Sequence, residues 1–169
     1  ARMPGPARDK LLLRVIGSPD PYEKQIDGMG GATSSTSKTV ILSKSKSAEH
    51  DVDYLFGQVS IDKPFVDWSG NCGNLSAAVG PFAIANGLID PARVPQNGVV
   101  EVRIWQVNIQ KTIVSQVPVV NGDVQETGGQ ILGERGKSIE EMLGSPLGAA
   151  QLAIRFLAVA WRPVALVFL

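Results

Sequence analysis

Cysteine is almost absent: Cys72 is the only one in 169 residues. A single thiol cannot close an internal disulfide, which excludes a disulfide-stapled secreted scaffold and fits a reducing, cytoplasmic setting. Histidine is equally scarce. His50 and Cys72 are the only imidazole and thiol donors, so metal chemistry is poorly supported. Net charge is missing too. Sixteen basic residues balance sixteen acidic ones, so no field calls for nucleic acid or a membrane surface as partner. No unbroken apolar run reaches the roughly 20 residues of a membrane-spanning helix. The last eighteen residues, LAIRFLAVAWRPVALVFL, come nearest, but Arg155, Arg162 and Pro163 interrupt them. Buried strands or an exposed adhesive end is the expectation there. The start, ARMPGPARDK, has neither an initiating Met nor an apolar leader, and it reads as the interior of a longer chain.

Glycine and proline, by contrast, are plentiful. Eighteen glycines and eleven prolines indicate short elements and many turns. The length suits one domain with one continuous core, and no internal repeat is visible. PARDKLLLRVIG predicts a short amphipathic helix, with Leu11, Leu12, Val15 and Ile16 on one face and a Gly-Ser-Pro stop. TVILS and VDYLFGQVSID read as strands. NCGNLSAAVGPFAIANG changes period: Leu75, Ala78, Val79, Phe82 and Ala83 recur at helical spacing. That helix is apolar nearly all round, which places it in the core. Pro81 predicts a kink or a lost hydrogen bond, and Asn86-Gly87 a left-handed end. GVVEVRIWQVN and KTIVSQVPVVNG predict a hairpin, with DVQET as a further strand. The sum is an α+β domain, a curled, largely antiparallel sheet around one buried helix.

Two phosphate-loop look-alikes fail. GERGKS needs a glycine where Ile131 stands, and ATSSTSKT has Ser37 where the glycine before lysine is required. Ser35-x-x-Lys38 has the spacing of a serine nucleophile and its lysine. It runs into TVIL, however, and strand geometry does not bring a three-residue pair together. His50, in a charged turn, reads as a solvated surface residue.

Two stretches carry chemistry. In SGNCGNLSAAVG, Ser69, Asn71 and Asn74 are natural helix N-cap residues, and the helix that follows offers free N–H groups and a positive dipole end. That suits a carboxylate. Cys72 there is either a thiol with a lowered pKa, fit for proton transfer, or a small buried residue beside a turn. Spacing leaves both readings open. In DGMGGATSSTSK, Gly28, Gly30 and Gly31 precede a row of hydroxyls, and Lys38 closes the loop. An oxygen-rich anion would suit it, although composition alone favours a solvated, mobile surface loop.

Together SPDPYEKQIDGMGGATSSTSKTVILSKS, DVDYLFGQVSIDKPFVDWSGNCGNLSAAVGPFAI and GLIDPARVPQNGVVEVRIWQVN resemble the 2-methylaconitate cis–trans isomerases, the PrpF proteins of propionate catabolism. The likeness runs from about Pro4 to Gly128. CGN at a helix start is also similar to diaminopimelate epimerase. The resemblance implies an epimerase-like fold of two similar domains with the active site in the cleft between them. It implies no metal or organic cofactor, a small tricarboxylate substrate of the aconitate type, and a functional link to an aconitase-like 2-methylcitrate dehydratase. It leaves homo-oligomerisation open. By resemblance Lys38 is the catalytic lysine and Cys72 the active-site cysteine. Gly73 and Asn74 would hold a substrate carboxylate, with Ser69, Gly70 and Asn71 in the same motif; Ser35 and Ser37 of the hydroxyl row are the further expected substrate contacts. The base must be partly neutral to work, so Lys38 is expected to be desolvated. Residues 1–128 then form the first domain without its opening strand. Residues 129–169 depart from the family pattern, as a truncated or frame-shifted coding region would. Two alternatives stand beside the isomerase: a binding-only remnant, and a related isomerase or racemase of another carboxylate.

Overall fold

In the β4 strand, Asn97–Gln106, the side chains of Val100, Val102, Ile104 and Gln106 are buried while Glu101 and Arg103 are exposed. Period-two burial of this kind marks a strand with one face on a core. The computed structural model describes residues 5–125 throughout, and the backbone of strands 130–132, 157–161 and 164–168. The strands in chain order are β1 Lys38–Lys44, β2 Val52–Val59, β3 Val66–Asp67, β4, β5 Lys111–Val120, β6 Asp123–Val124, β7 Gln130–Leu132, β8 Leu157–Trp161 and β9 Val164–Phe168. They join one sheet in the order β6-β5-β4-β2-β1-β9-β8, with β3 beside β2 and β7 beside β5. Every pairing is antiparallel except β2 with β4, which is parallel over Val52–Tyr54 and Ile104–Gln106.

That one parallel pair explains the placement of helix α2, Gly73–Ala85. Parallel neighbours need a crossover long enough to return the chain, and α2 is that crossover. It lays Leu75, Val79, Phe82 and Ala83 on Val40, Leu42, Tyr54, Phe56, Val102, Ile104, Val117 and Val119 to make the main core. Each large side chain so buried contributes about 1.5–3 kcal/mol before entropy is counted. The helix runs through Pro81, which withdraws one donor from its ladder. Gly87 follows at φ +67, the left-handed end expected from Asn86-Gly87. A second cluster covers the opposite face of β2. There α1, Gly5–Ile16, sets Leu12 and Ile16 against Val59 and Val66. Leu11 is the exception to the predicted face: it is 39% exposed, because the buried stripe is centred on the Leu12–Ile16 pair. Arg8 lies over the Trp68 ring, 3.9 Å from its centre.

α2 approaches β5 closely at Gly80. A Cβ there would sit 2.5 Å from Ser115 Oγ and 2.8 Å from Val117 Cγ2. Gly80→Ala is therefore expected to destabilise by about 1–3 kcal/mol through overpacking, despite alanine's better helix propensity. A Tm at or above the parent's would show that the contact is not tight.

His50 is not the solvated residue that its charged neighbours suggested. It is half-buried, its Nε2 is 2.8 Å from Thr112 Oγ1, and its ring packs on Trp105 at 5.1 Å. The strand register brings β5 to it, which no local pattern shows. The GERGKS stretch lies outside the described residues. The apolar end does form strands, β8 and β9, and β9 pairs with β1. Among the described residues no helix is long and apolar enough to cross a membrane.

Candidate active site

Lys38 opens β1, so its position depends on the loop that delivers it. Residues 17–37 hold no regular element, yet they are not a loose polar loop. Gln25 is only 1% exposed. Its Nε2 donates to Ser18 Oγ at 2.9 Å and Ser37 Oγ at 2.8 Å, and its Oε1 accepts from Ala32 N at 2.8 Å. Ser37 Oγ in turn donates to Val59 O at 2.8 Å. Gln25 has φ +48. A left-handed non-glycine residue costs on the order of 1 kcal/mol, which these bonds offset. Met29 N and Gly30 N donate to Val15 O and Ile16 O, so the loop caps the end of α1. Gly28 allows this: a Cβ there would lie 2.2 Å from Gly17 N.

Asp20 sets the first turn of this loop. Its carboxylate accepts from the N–H groups of Tyr22, Lys24 and Gln25 at 2.9, 3.0 and 2.7 Å. Those donors, Tyr22's foremost, hold its carboxyl below the ordinary carboxylate range. A depressed folded value adds stability that is complete above the unfolded value and lost as pH falls through the folded one. Protection of the amides of residues 22–25 from hydrogen exchange should therefore fall as pH drops below about 4. Asp20→Asn should remove that dependence. Unchanged protection through the window in the parent would count against this role.

Cys72 sits at the N-cap of α2 with φ −119 and ψ 111, and no side chain caps the helix. Lys38 Nζ lies 3.5 Å from Cys72 Sγ, across 34 residues of sequence. Both side chains are half-buried, so Lys38 is less enclosed than a fully desolvated base. The first turn of α2 carries N–H groups without intrahelical partners, and a Cβ at Gly73 would meet nothing within 4 Å. Gly73 and Asn74 are both exposed. An amine and a thiol thus meet at a positively polarised helix start whose first residues are exposed. That arrangement can bind a carboxylate and move a proton beside it.

Beneath Cys72 lies a polar layer. Tyr54 donates from its hydroxyl to Cys72 O at 3.3 Å, and burial raises its phenol well above the ordinary value, so it stays a donor. Ser76 Oγ donates its one hydrogen to Cys72 O at 2.9 Å, with Asn71 Oδ1 as the alternative acceptor at 3.3 Å. Gln106, fully buried, donates to Asn71 Oδ1 at 3.3 Å and Asn108 Oδ1 at 2.8 Å. Sequence reading missed Tyr54, Gln106, Asn108 and Gln25. One signal was present for Gln106: it falls on the inward phase of Val100, Val102 and Ile104, where a polar residue needs a buried partner.

The remaining expected contacts divide. Ser37 is a correction: its hydroxyl is wholly buried and spent on Gln25 and Val59, so it faces no ligand. Ser69 turns to Asp67. Its N–H donates to Oδ1 at 2.8 Å, and its hydroxyl, foremost, lowers that carboxyl's pKa. Asn71 uses its carbonyl oxygen on Ser76 and Gln106. Ser35 is exposed on a turn whose Thr33 and Thr36 hydroxyls bond each other at 2.9 Å.

Comparison with known proteins bears on this geometry. The family described as PrpF protein matches residues 2–161. The chain belongs to the PrpF family. This PrpF chain is 80% identical over 128 residues to the 2-methyl-aconitate isomerase of Shewanella oneidensis, covering 76% of the chain and 32% of that relative. It is 79% identical over 128 residues to the 2-methyl-aconitate isomerase of Cupriavidus necator, with the same coverage of 76% and 32%. It therefore spans about a third of the length of these PrpF-like relatives. A crystal structure of methylitaconate-delta-isomerase matches 73% of the chain and 31% of its own, with TM-score 0.63 and 41% identity. The curled, mostly antiparallel sheet around a buried helix is the diaminopimelate epimerase-like fold of that neighbour.

Proposed function

We propose that this chain carries the reacting groups of a cofactor-independent isomerase that converts trans- to cis-2-methylaconitate. The observation that carries the reading is the Lys38 amine 3.5 Å from the Cys72 thiol at the uncapped start of α2. The 2-methyl-aconitate isomerases of S. oneidensis and C. necator support the choice of substrate. A carbon–carbon double bond does not rotate at ordinary temperature. Neutral Lys38 removes an acidic C–H proton beside the conjugated acid, and the electron pair delocalises into a dienolate. The former double bond gains single-bond character and turns. The ammonium, or Cys72 as second carrier, returns a proton and fixes the new geometry. Donors at Gly73 and Asn74 stabilise the negative charge that grows on the carboxylate. The second wall of the cleft belongs to the length that the relatives have beyond this match. In the cell the reading places the protein in the cytoplasm, in the 2-methylcitrate cycle beside an aconitase-like dehydratase.

The test is isomerisation of trans-2-methylaconitate in D2O, by this chain and by the S. oneidensis relative. Deuterium uptake accompanying the change from trans to cis is expected. Turnover without uptake sinks the proton-transfer mechanism. Carboxylate binding by the chain with turnover only in the relative favours the binding-only reading, which the half-exposed pair also suits.

A further inference from the structure

We propose that Asn108 is a positioning residue for the Lys38–Cys72 pair, a role that rests on reading that pair as the reacting centre. Its carboxamide bonds to both arms that carry the pair. Nδ2 donates to Phe56 O at 2.8 Å and to Trp68 O at 2.6 Å. Oδ1 accepts from Phe56 N at 2.9 Å and Gln106 Nε2 at 2.8 Å. Two donors and two lone pairs are thereby all used, so the group has one orientation.

The partners explain what that orientation does. Parallel pairing of β2 with β4 stops at Tyr54, and Asn108 takes over the amide and carbonyl of Phe56 beyond it. Phe56 lies opposite Val40 in β1, and Val40 is two residues past Lys38. On the other side, Trp68 precedes Cys72 by a short irregular stretch, Ser69-Gly70-Asn71. Such a segment has little conformational preference of its own. Asn108 holds its first end at Trp68 O. Gln106, bonded to Asn108, holds its last residue at Asn71 Oδ1. One saturated amide thus references the thiol's segment to the strand beside the amine's. Displacing a reacting pair by about 1 Å costs on the order of 100-fold in rate, so a fixed reference has a use beyond stability.

Alkylation of Cys72 by iodoacetamide reads the pair without any substrate. At fixed pH, Lys38→Ala changes that rate by a factor set by the amine's contact with the thiol. In a double-mutant cycle with Asn108→Ala, the factor is expected to collapse toward one while a cooperative melt shows the fold retained. In turnover, Asn108→Ala lowers kcat roughly 10- to 100-fold and leaves KM within about threefold. Gln106→Met, which releases Asn71 and Asn108 together, is expected to give the same collapse and serves if Asn108→Ala does not fold. A factor as large in these variants as in the parent overturns the positioning role, whatever the isomerase assay shows. Collapse of the factor in a chain that turns over no methylaconitate supports positioning and favours the binding-only reading instead. No effect of Lys38→Ala on the parent's alkylation would mean an uncoupled pair, and the proposal falls.

Discussion

Lys38→Ala is expected to lower the rate of methylaconitate isomerisation by about 100- to 10,000-fold, the range that a positioned proton-transfer group supplies. KM should move far less, because the carboxylate site proposed at the helix start remains. Lys38→Arg should not restore the rate. A guanidinium stays protonated at any usable pH and cannot act as a base, although it keeps the positive charge. That second variant separates a base from a simple counter-ion. Stability should barely change in either, since the side chain is half-buried and its hydrogen bond is a long one to a thiol. Initial rates in the S. oneidensis relative, with the matching lysine changed, provide the check. Unchanged turnover in the alanine variant would remove Lys38 from the mechanism.

Gln25→Ala has the largest expected effect on stability. The substitution strands the Ala32 N–H, takes the Gln25 donor from the Ser18 hydroxyl and from the Ser37 hydroxyl, which keeps its bond to Val59 O, and leaves a cavity besides. Lost partners in the interior cost about 1–3 kcal/mol each at most and are not additive, so a total near 3 kcal/mol is expected. That is a large share of the 5–15 kcal/mol that holds a typical domain together. Chemical denaturation should show a lower midpoint with an unchanged slope. Ser37 immediately precedes Lys38, so turnover should fall as well, even where the variant is folded. A midpoint within the error of the parent's would mean that the loop is not held through Gln25.

Much of the fold was legible because its signals are local. The hairpin of β4 and β5 follows from alternation at Val100, Val102 and Ile104 against Glu101 and Arg103. The buried helix follows from Leu75, Val79, Phe82 and Ala83 recurring at helical spacing. The loop before Lys38 was misread for an equally physical reason. Its composition is that of a solvated segment, and Gln25 looks like any surface glutamine until three partners, one of them twelve residues away, enclose it. Ser37 was misassigned with it. A serine beside a lysine looks available to a ligand until Val59, twenty-two residues on, takes its hydrogen.

The order of residues alone settled which segments become strands and which becomes the core helix, since periodicity and turn chemistry act over a few neighbours. It also placed a glycine-flanked thiol at a helix start and an amine at a strand start. What it could not settle was their meeting. That depends on the pairing of β1 with β2, on a single parallel contact of β2 with β4, and on the crossover that drops α2 onto their face. Register and crossover are decided by burial summed over the whole sheet, a quantity that no short stretch contains.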